Sequence, residues 1–177
     1  TQSRSSAASD VYKRQLQGTY EHVDLQVTNG GVFDPATYGG DEEKARKVRE
    51  AFLLTIPREE IVQKLIKPLQ PDAEVRQSLV FLPGADGYDK AAESTGIANY
   101  ATNIEKAKQL LAEAGVENPT VRFLTAQTNP RRQSQLQLIT ASAQQAGFKV
   151  VDTSQTDWST FITCLLYTSD AADDLLC

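Results

Sequence analysis

The feature that most restricts the fold is a strand–helix–strand pattern in the last third of the chain. Residues 120–126 read as a strand with Val121 and Phe123 on one face, and residues 148–152 read as a second strand. A helix is predicted between them over residues 133–146. Its inward stripe is Leu136, Ile139, Ala143 and Ala146. Two strands joined by such a helix pair in parallel through a right-handed crossover. The pattern predicts an α/β fold with a parallel or mixed sheet flanked by helices.

Three further helices are predicted upstream of this unit. The first covers residues 42–54, and its apolar stripe is Ala45, Val48, Ala51 and Phe52. The second has Pro57 in its first turn, carries Ile61 and Leu65 inward, and ends at Lys67-Pro68. The third covers residues 102–114, where Thr102 and Glu105 form a capping box and Asn103 is an alternative cap. Gly115 is its stop signal.

Two other segments complete the natural part of the chain. Residues 20–28 alternate apolar and polar side chains, which predicts a half-buried strand. Residues 70–99 have no sustained period and are punctuated by proline and glycine. We expect this second segment to be a loop-rich crossing over the surface of the domain.

The two ends of the chain are explained by one stretch of DNA. Residues 5–15 can be encoded by a sequence whose reverse complement, shifted by one base, encodes residues 164–174. That DNA resembles a transposase-type sequencing adapter. We therefore expect residues 1–15 and 164–177 to be translated adapter sequence and residues 16–163 to be the natural segment.

Composition excludes several classes of function. The formal net charge of −5 gives no electrostatic footprint for nucleic acid. Both cysteines, Cys164 and Cys177, lie in the second predicted adapter segment, and His22 is the only histidine. Common zinc sites and Ser/His/Asp or Cys/His arrangements therefore cannot be assembled, and no phosphate-binding glycine motif is present. We expect no catalytic residue, no metal and no cofactor.

Two features are candidates for ligand binding. Asn29, Gly30 and Gly31 follow the first predicted strand, and α/β sheets place ligands at strand ends. A tight turn that requires glycine explains the same three residues. Trp158 is the only tryptophan and lies at helical spacing from Phe161. It fits packing in the core or against a second lobe, and it also fits the aromatic wall of a ligand cleft.

Two runs of residues, taken in order, resemble a known family. Residues 48–62, VREAFLLTIPREEIV, resemble the helix pair VRxAxxxAIDRexIV of extracellular solute-binding proteins of family 5. Residues 100–115, YATNIEKAKQLLAEAG, resemble the family's YDPEKAKxLLAEAG. The strand–helix–strand unit and Asp157-Trp158 follow at the family's intervals, so the resemblance covers residues 20–162. Departures from the motifs fall at helix starts, where they affect capping.

The resemblance implies a fragment of the C-terminal lobe of a periplasmic-binding-protein-like (type II) fold, in which two lobes close over an extended peptide. It implies a monomeric, non-enzymatic receptor that delivers peptides or similar small solutes to the permease subunits of an ABC importer. The implied location is extracellular or periplasmic, with a lipid anchor at a missing N-terminus. From the residues alone, an α/β enzyme domain and an interaction domain without a small ligand stay open as alternatives.

Overall fold

The computed structural model describes residues 20–156, and these residues fall into two compact units. The smaller unit contains residues 20–24 and 76–99, and the larger contains residues 25–75 and 100–156. No helix within residues 20–156 is both long and apolar enough to cross a bilayer.

Most of the regular structure belongs to the larger unit. Its elements in chain order are a 3-10 helix (Pro35–Tyr38), α1 (Glu42–Leu53), α2 (Arg58–Ile61), a π-helical turn (Val62–Ile66), α4 (Ile104–Ala114), β1 (Thr120–Phe123), α5 (Pro130–Gln145) and β2 (Lys149–Asp152). The smaller unit contributes α3 (Tyr88–Thr95), and a 3-10 helix (Ile97–Tyr100) leads back into the larger unit.

Helix α1 forms where the sequence predicts it. The Asp41 carboxylate caps its first turn by accepting the Lys44 N–H at 2.9 Å, and Glu42 and Glu43 suit the positive end of the helix dipole. The predicted apolar stripe is buried: Ala45, Val48, Ala51 and Phe52. This face of α1 packs against α4.

The second predicted helix is correct in position but not in regularity. Pro57 precedes the helix at the N-cap position, and the α-helical part ends at Ile61. A π-helical turn follows, closed by the Lys67 N–H donating to the Val62 carbonyl at 2.9 Å. The apolar stripe does not reveal this change, because Ile61 and Leu65 are both partly buried although the turn between them is widened.

Helix α4 uses the alternative cap. Asn103 Oδ1 accepts the Lys106 N–H at 3.0 Å, and Gly115 ends the helix in the left-handed conformation at φ 60°. The Thr102 hydroxyl donates to the Ile56 carbonyl at 3.0 Å instead of capping α4. The predicted Thr102 capping box is therefore wrong, because that hydroxyl connects two parts of the larger unit.

The strand–helix–strand unit is confirmed. β1 and β2 are parallel, with Thr120 opposite Lys149 and Phe123 opposite Asp152. Helix α5 begins three residues earlier than predicted, because Pro130 occupies its first turn and Asn129 Oδ1 accepts the Arg132 N–H at 3.2 Å. The predicted inward stripe is buried: Leu136, Ile139, Ala143 and Ala146.

The two faces of this sheet differ in burial. Val121 is buried on the face that includes its partner Val150, and α5 packs against β2. The side chains on the opposite face are exposed: Thr120, Arg122, Lys149 and Val151. The sheet is therefore covered on one side only within the described residues.

Three phenylalanines form a row through the core of the larger unit. The rings of Phe33 and Phe52 are 5.3 Å apart, and the rings of Phe52 and Phe148 are also 5.3 Å apart in an edge-to-face arrangement. All three side chains are buried. The row joins the segment before α1 to the start of β2, and such pairs add to the stabilisation from burial.

Residues 20–28 differ from the prediction: they form no strand, because no other described segment pairs with them, and Val27 is 40% exposed. Residues 70–99 are loop-rich as predicted, but they also contain helix α3, which the sequence analysis missed. Gly87 and Gly96 flank α3 with φ of 87° and 64°, so the glycines that suggested a loop mark the ends of a short helix.

Candidate functional site

Three of the four predicted site residues, Asn29, Gly30 and Gly31, lie in a turn organised by a buried carboxylate. Asp34 is 7% exposed. Its Oδ2 accepts the Gly30 N–H at 2.7 Å and its Oδ1 accepts the Ala36 N–H at 2.8 Å. These two hydrogen bonds, that of Gly30 first, hold the pKa of the Asp34 carboxyl below its usual value. The second bond also caps the 3-10 helix, whose first residue is Pro35.

The rest of the turn is closed by local hydrogen bonds. Asn29 Oδ1 accepts the Gly31 N–H at 3.1 Å. The Gly31 carbonyl accepts the Asp34 N–H at 3.0 Å and the Thr37 hydroxyl at 2.7 Å. Gly30 has φ of 71°, a conformation that favours glycine. The tight-turn interpretation therefore explains all three predicted residues. They follow no strand, so the expectation that they lie at a strand end is wrong.

The same hydrogen bonds determine which groups of the turn face solvent. The N–H groups of Gly30 and Gly31 both donate to side chains inside the turn. Asn29 and Gly30 are exposed, and Gly31 is partly buried. A solute that contacts this turn would therefore meet the exposed side chain of Asn29 and not the N–H groups of Gly30 and Gly31.

A groove of about 470 Å³ lies beside this turn. It is lined by Val27, Thr28, Asp34, Pro35, Glu42 and Arg49. The Arg49 side chain is 18% exposed, donates to the Phe33 carbonyl at 2.9 Å and forms an ion pair with Glu42. The lining thus includes two carboxylates, of Asp34 and Glu42, and one guanidinium, and the excess negative charge favours a cationic or hydrogen-bond-donating group of a ligand.

Sequence reasoning missed Asp34 and Arg49. A signal for Asp34 was present, because aspartate directly before proline is the usual start of a helical turn. Arg49 had no such signal. It borders the apolar stripe of α1, and only the fold brings its guanidinium to the Phe33 carbonyl sixteen positions earlier in the chain.

A second groove, of about 380 Å³, lies beside α5 and β2. Six of its lining residues belong to α5 and the seventh to β2: Gln133, Leu136, Gln137, Thr140, Ala141, Gln144 and Asp152. It contains one carboxylate and no cation, and its amide groups can accept and donate hydrogen bonds.

His22 lines neither of these two grooves. His22 Nε2 lies 3.1 Å from Asp24 Oδ2, and both side chains are more than half exposed. Trp158 lies outside the described residues. Within residues 20–156, no three histidine, cysteine, aspartate or glutamate side chains are placed to hold a metal ion.

The comparisons with known proteins concern most of the chain. The family described as "Bacterial extracellular solute-binding proteins, family 5 Middle" matches residues 8–171. A search of curated proteins gave no match. Among solved structures, the chain is similar to an oligopeptide-binding protein from Thermus thermophilus complexed with a pentapeptide, with 21% sequence identity and a TM-score of 0.45.

The similarity to that structure covers 66% of this chain and 20% of the solved chain, so this chain spans about a fifth of its length. The family match is broader, since it takes in both sequence runs that resemble the family and the whole strand–helix–strand unit. On that match, the chain belongs to family 5 of the bacterial extracellular solute-binding proteins.

Proposed function

We propose that the chain is part of the substrate-binding component of an ABC importer that takes up peptides or similar small solutes. The observation that carries the proposal is the family match over residues 8–171. The parent protein would bind its ligand by closure of two lobes, without a covalent step, and would present the closed form to permease subunits in the membrane. It would act as a monomer outside the cytoplasm.

In this proposal the turn at residues 29–31 and Trp158 contribute to ligand binding. The Asn29 amide is exposed beside the groove that contains Asp34, Glu42 and Arg49. The negative charge of that groove suits an ammonium group, which a peptide carries at its amino end or on lysine. Asp34 would position the turn, because its carboxylate is occupied by the Gly30 and Ala36 N–H groups.

Ligand binding by the intact parent protein tests the peptide assignment. Isothermal calorimetry and thermal unfolding are measured with a panel of short peptides and with nickel, haem and an oligosaccharide. A peptide at about one hundred times its dissociation constant should stabilise the protein by roughly 2.7 kcal/mol. Binding of nickel, haem or the oligosaccharide in place of peptides would reject the peptide assignment and leave the solute-receptor assignment intact.

Two substitutions test the proposed contacts. Asn29→Ala should weaken peptide binding, whereas Thr128→Ala, at an exposed position outside both grooves, should leave it unchanged. Trp158→Phe should remove a ligand-induced change in tryptophan fluorescence. Equal affinities for all three variants and the wild type would remove these residues from the binding site.

We also propose that residues 1–15 and 164–177 are translated adapter sequence, and that the natural polypeptide carries a lipid anchor upstream. The family match begins at residue 8 and ends at residue 171, so it overlaps both terminal segments. Sequencing the unbroken parent gene decides the matter. The expected result is different coding sequence at both ends, a lipoprotein signal, and permease genes alongside. Finding the same terminal residues in an intact gene would refute the adapter assignment.

A further inference from the structure

The Asn29-Gly30 pair combines an exposed side-chain amide with a following residue that has no side chain to obstruct ring closure. Both residues are exposed, and a Cβ built at Gly30 would meet no atom within 4 Å. We propose that Asn29 is a site of spontaneous deamidation, and that the buried Asp34 carboxylate restrains the reaction in the folded protein. The modification needs no enzyme and no reactant other than water.

The reaction proceeds through a cyclic imide. The Gly30 nitrogen loses its proton to hydroxide and attacks Asn29 Cγ, forming a new N–C bond. The bond from Cγ to the side-chain nitrogen then breaks, and that nitrogen leaves as ammonia after taking a proton from water. Water next adds to one of the two imide carbonyls and opens the ring. The product at position 29 is either aspartate or isoaspartate, in which the backbone runs through the side chain.

The Asp34 carboxylate acts on the attacking nitrogen. The Gly30 N–H donates to Asp34 Oδ2 at 2.7 Å, which is a short bond to a charged acceptor. Attack requires that this hydrogen bond break and that the nitrogen become anionic. A carboxylate in contact with the nitrogen disfavours the anion by like-charge repulsion, and the depressed pKa of Asp34 makes it a poor base for removing the proton.

A second hydrogen bond acts in the opposite direction. The Gly31 N–H donates to Asn29 Oδ1 at 3.1 Å, and a donor at this oxygen stabilises the negative charge that develops there during attack. This bond is longer, exposed and made between neutral groups, whereas the Asp34 bond is shorter and involves a charge. Hydrogen bonds to charged groups are about twice as strong as neutral ones. The hydrogen bond to Asp34 should therefore slow deamidation by more than the hydrogen bond from Gly31 accelerates it.

Deamidation would change the candidate site. An aspartate at position 29 adds negative charge beside the groove that already contains Asp34 and Glu42. An isoaspartate lengthens the backbone by one carbon and separates the Gly30 and Gly31 N–H groups from their present acceptors. The turn, and any ligand contact made through Asn29, would be lost in the modified fraction.

Peptide mapping by mass spectrometry measures the reaction. The full chain is incubated at mildly alkaline pH in native buffer and in guanidinium chloride, and products at Asn29 are quantified over time. We expect the folded wild type to deamidate roughly tenfold to a hundredfold more slowly than the unfolded chain, which is what one hydrogen bond to a charged group is worth. The folded Asp34→Asn variant should recover most of that rate.

The chain contains its own controls. Asn118 and Asn129 each precede proline, whose nitrogen has no hydrogen to lose, so neither should react by this route. Asn29→Gln should remove the product, because glutamine closes a larger ring.

Equal rates at Asn29 in the folded and unfolded wild type would overturn the restraint. A folded Asp34→Asn variant that reacts at the wild-type rate would do the same. No product in the unfolded chain would overturn the site itself. If Asp34→Asn does not fold, the wild-type comparison decides alone.

Discussion

The strand–helix–strand unit and the turn at residues 29–34 are held together by different kinds of contact. In the first, regular backbone hydrogen bonds join β1 to β2 and run along α5, and a stripe of apolar side chains is buried. In the second, individual side chains fix the backbone. The Asp34 carboxylate accepts hydrogen bonds from two backbone N–H groups, and the Asn29 side chain accepts one.

The difference determines how each region responds to change. A repetitive element loses one contact of many when a surface side chain is replaced, so its conformation survives. The turn depends on one carboxylate, and losing that group removes the acceptor for Gly30 and Ala36 at once. Substitutions in the core that both regions share, at Asp34, at a helix cap and at a surface ion pair sharpen this comparison.

The largest effect is expected in that shared core. Phe52 is 1% exposed and contacts the rings of Phe33 and Phe148. Phe52→Ala should lower the free energy of unfolding by about 3–5 kcal/mol, because it removes buried apolar surface and leaves a cavity. Urea unfolding followed by circular dichroism measures this. Leu69→Ala, at a side chain that is 81% exposed, is the control and should change stability by less than about 0.5 kcal/mol.

The next effect is a pH-dependent loss at Asp34. Its pKa is lower in the folded state, so the ionised carboxylate stabilises the fold above about pH 4, and this contribution disappears as the pH falls through the folded-state pKa. Asp34→Asn should therefore be less stable than the wild type near neutral pH, and the two proteins should converge in acid. Asp72→Asn, at an exposed position, is the matched charge-removal control. A difference between wild type and Asp34→Asn that is constant with pH would contradict the assignment.

A smaller effect distinguishes the two candidate caps of α4. Asn103→Ala should destabilise the protein by about 1 kcal/mol and expose the Lys106 amide to hydrogen exchange, because Asn103 Oδ1 accepts that N–H. Thr102→Ala should leave exchange at Lys106 unchanged, since the Thr102 hydroxyl bonds the Ile56 carbonyl. Faster Lys106 exchange in Thr102→Ala would restore the capping box that the sequence suggested.

The smallest effect is expected at the ion pair between α1 and α4. Lys47 Nζ lies 3.3 Å from Glu113 Oε2, and both side chains are partly exposed. Lys47→Gln should change stability less than Asn103→Ala, and roughly 1 M salt should remove the difference from the wild type. A double-mutant cycle with Glu113→Gln measures the coupling. A large coupling that persists in high salt would mean that the pair is shielded from solvent.

Sequence periodicity was sufficient to predict the elements that bury a stripe of apolar side chains. The stripes of α1 and α5 are buried as predicted, and β1 and β2 pair in parallel. Element ends were less accurate, because they depend on single caps such as Asn129 rather than on a pattern. Periodicity failed for residues 20–28, since alternation describes a side-chain pattern and says nothing about whether a partner strand exists.

The candidate site was predicted only in part. The glycines of residues 29–31 indicated a turn, and this turn does place Gly30 in the left-handed conformation that favours glycine. The role of Asp34 had a local signal in the following proline, whereas the role of Arg49 depends on a distance that no local pattern encodes. The Arg49 bond to the Phe33 carbonyl joins α1 to the turn, and it exists only after α1 has packed. The binding roles of Asn29, Gly30, Gly31 and Trp158 remain predictions.

The row of Phe33, Phe52 and Phe148 has a consequence for cooperativity. Phe33 directly precedes Asp34, and Phe148 directly precedes β2. The irregular turn and the regular sheet are therefore connected through ring contacts to Phe52. Local opening of the turn must break the contact between Phe33 and Phe52. Amide protons of the turn and of β2 should therefore exchange in a single subglobal unfolding event, although the chain separates them by more than a hundred positions.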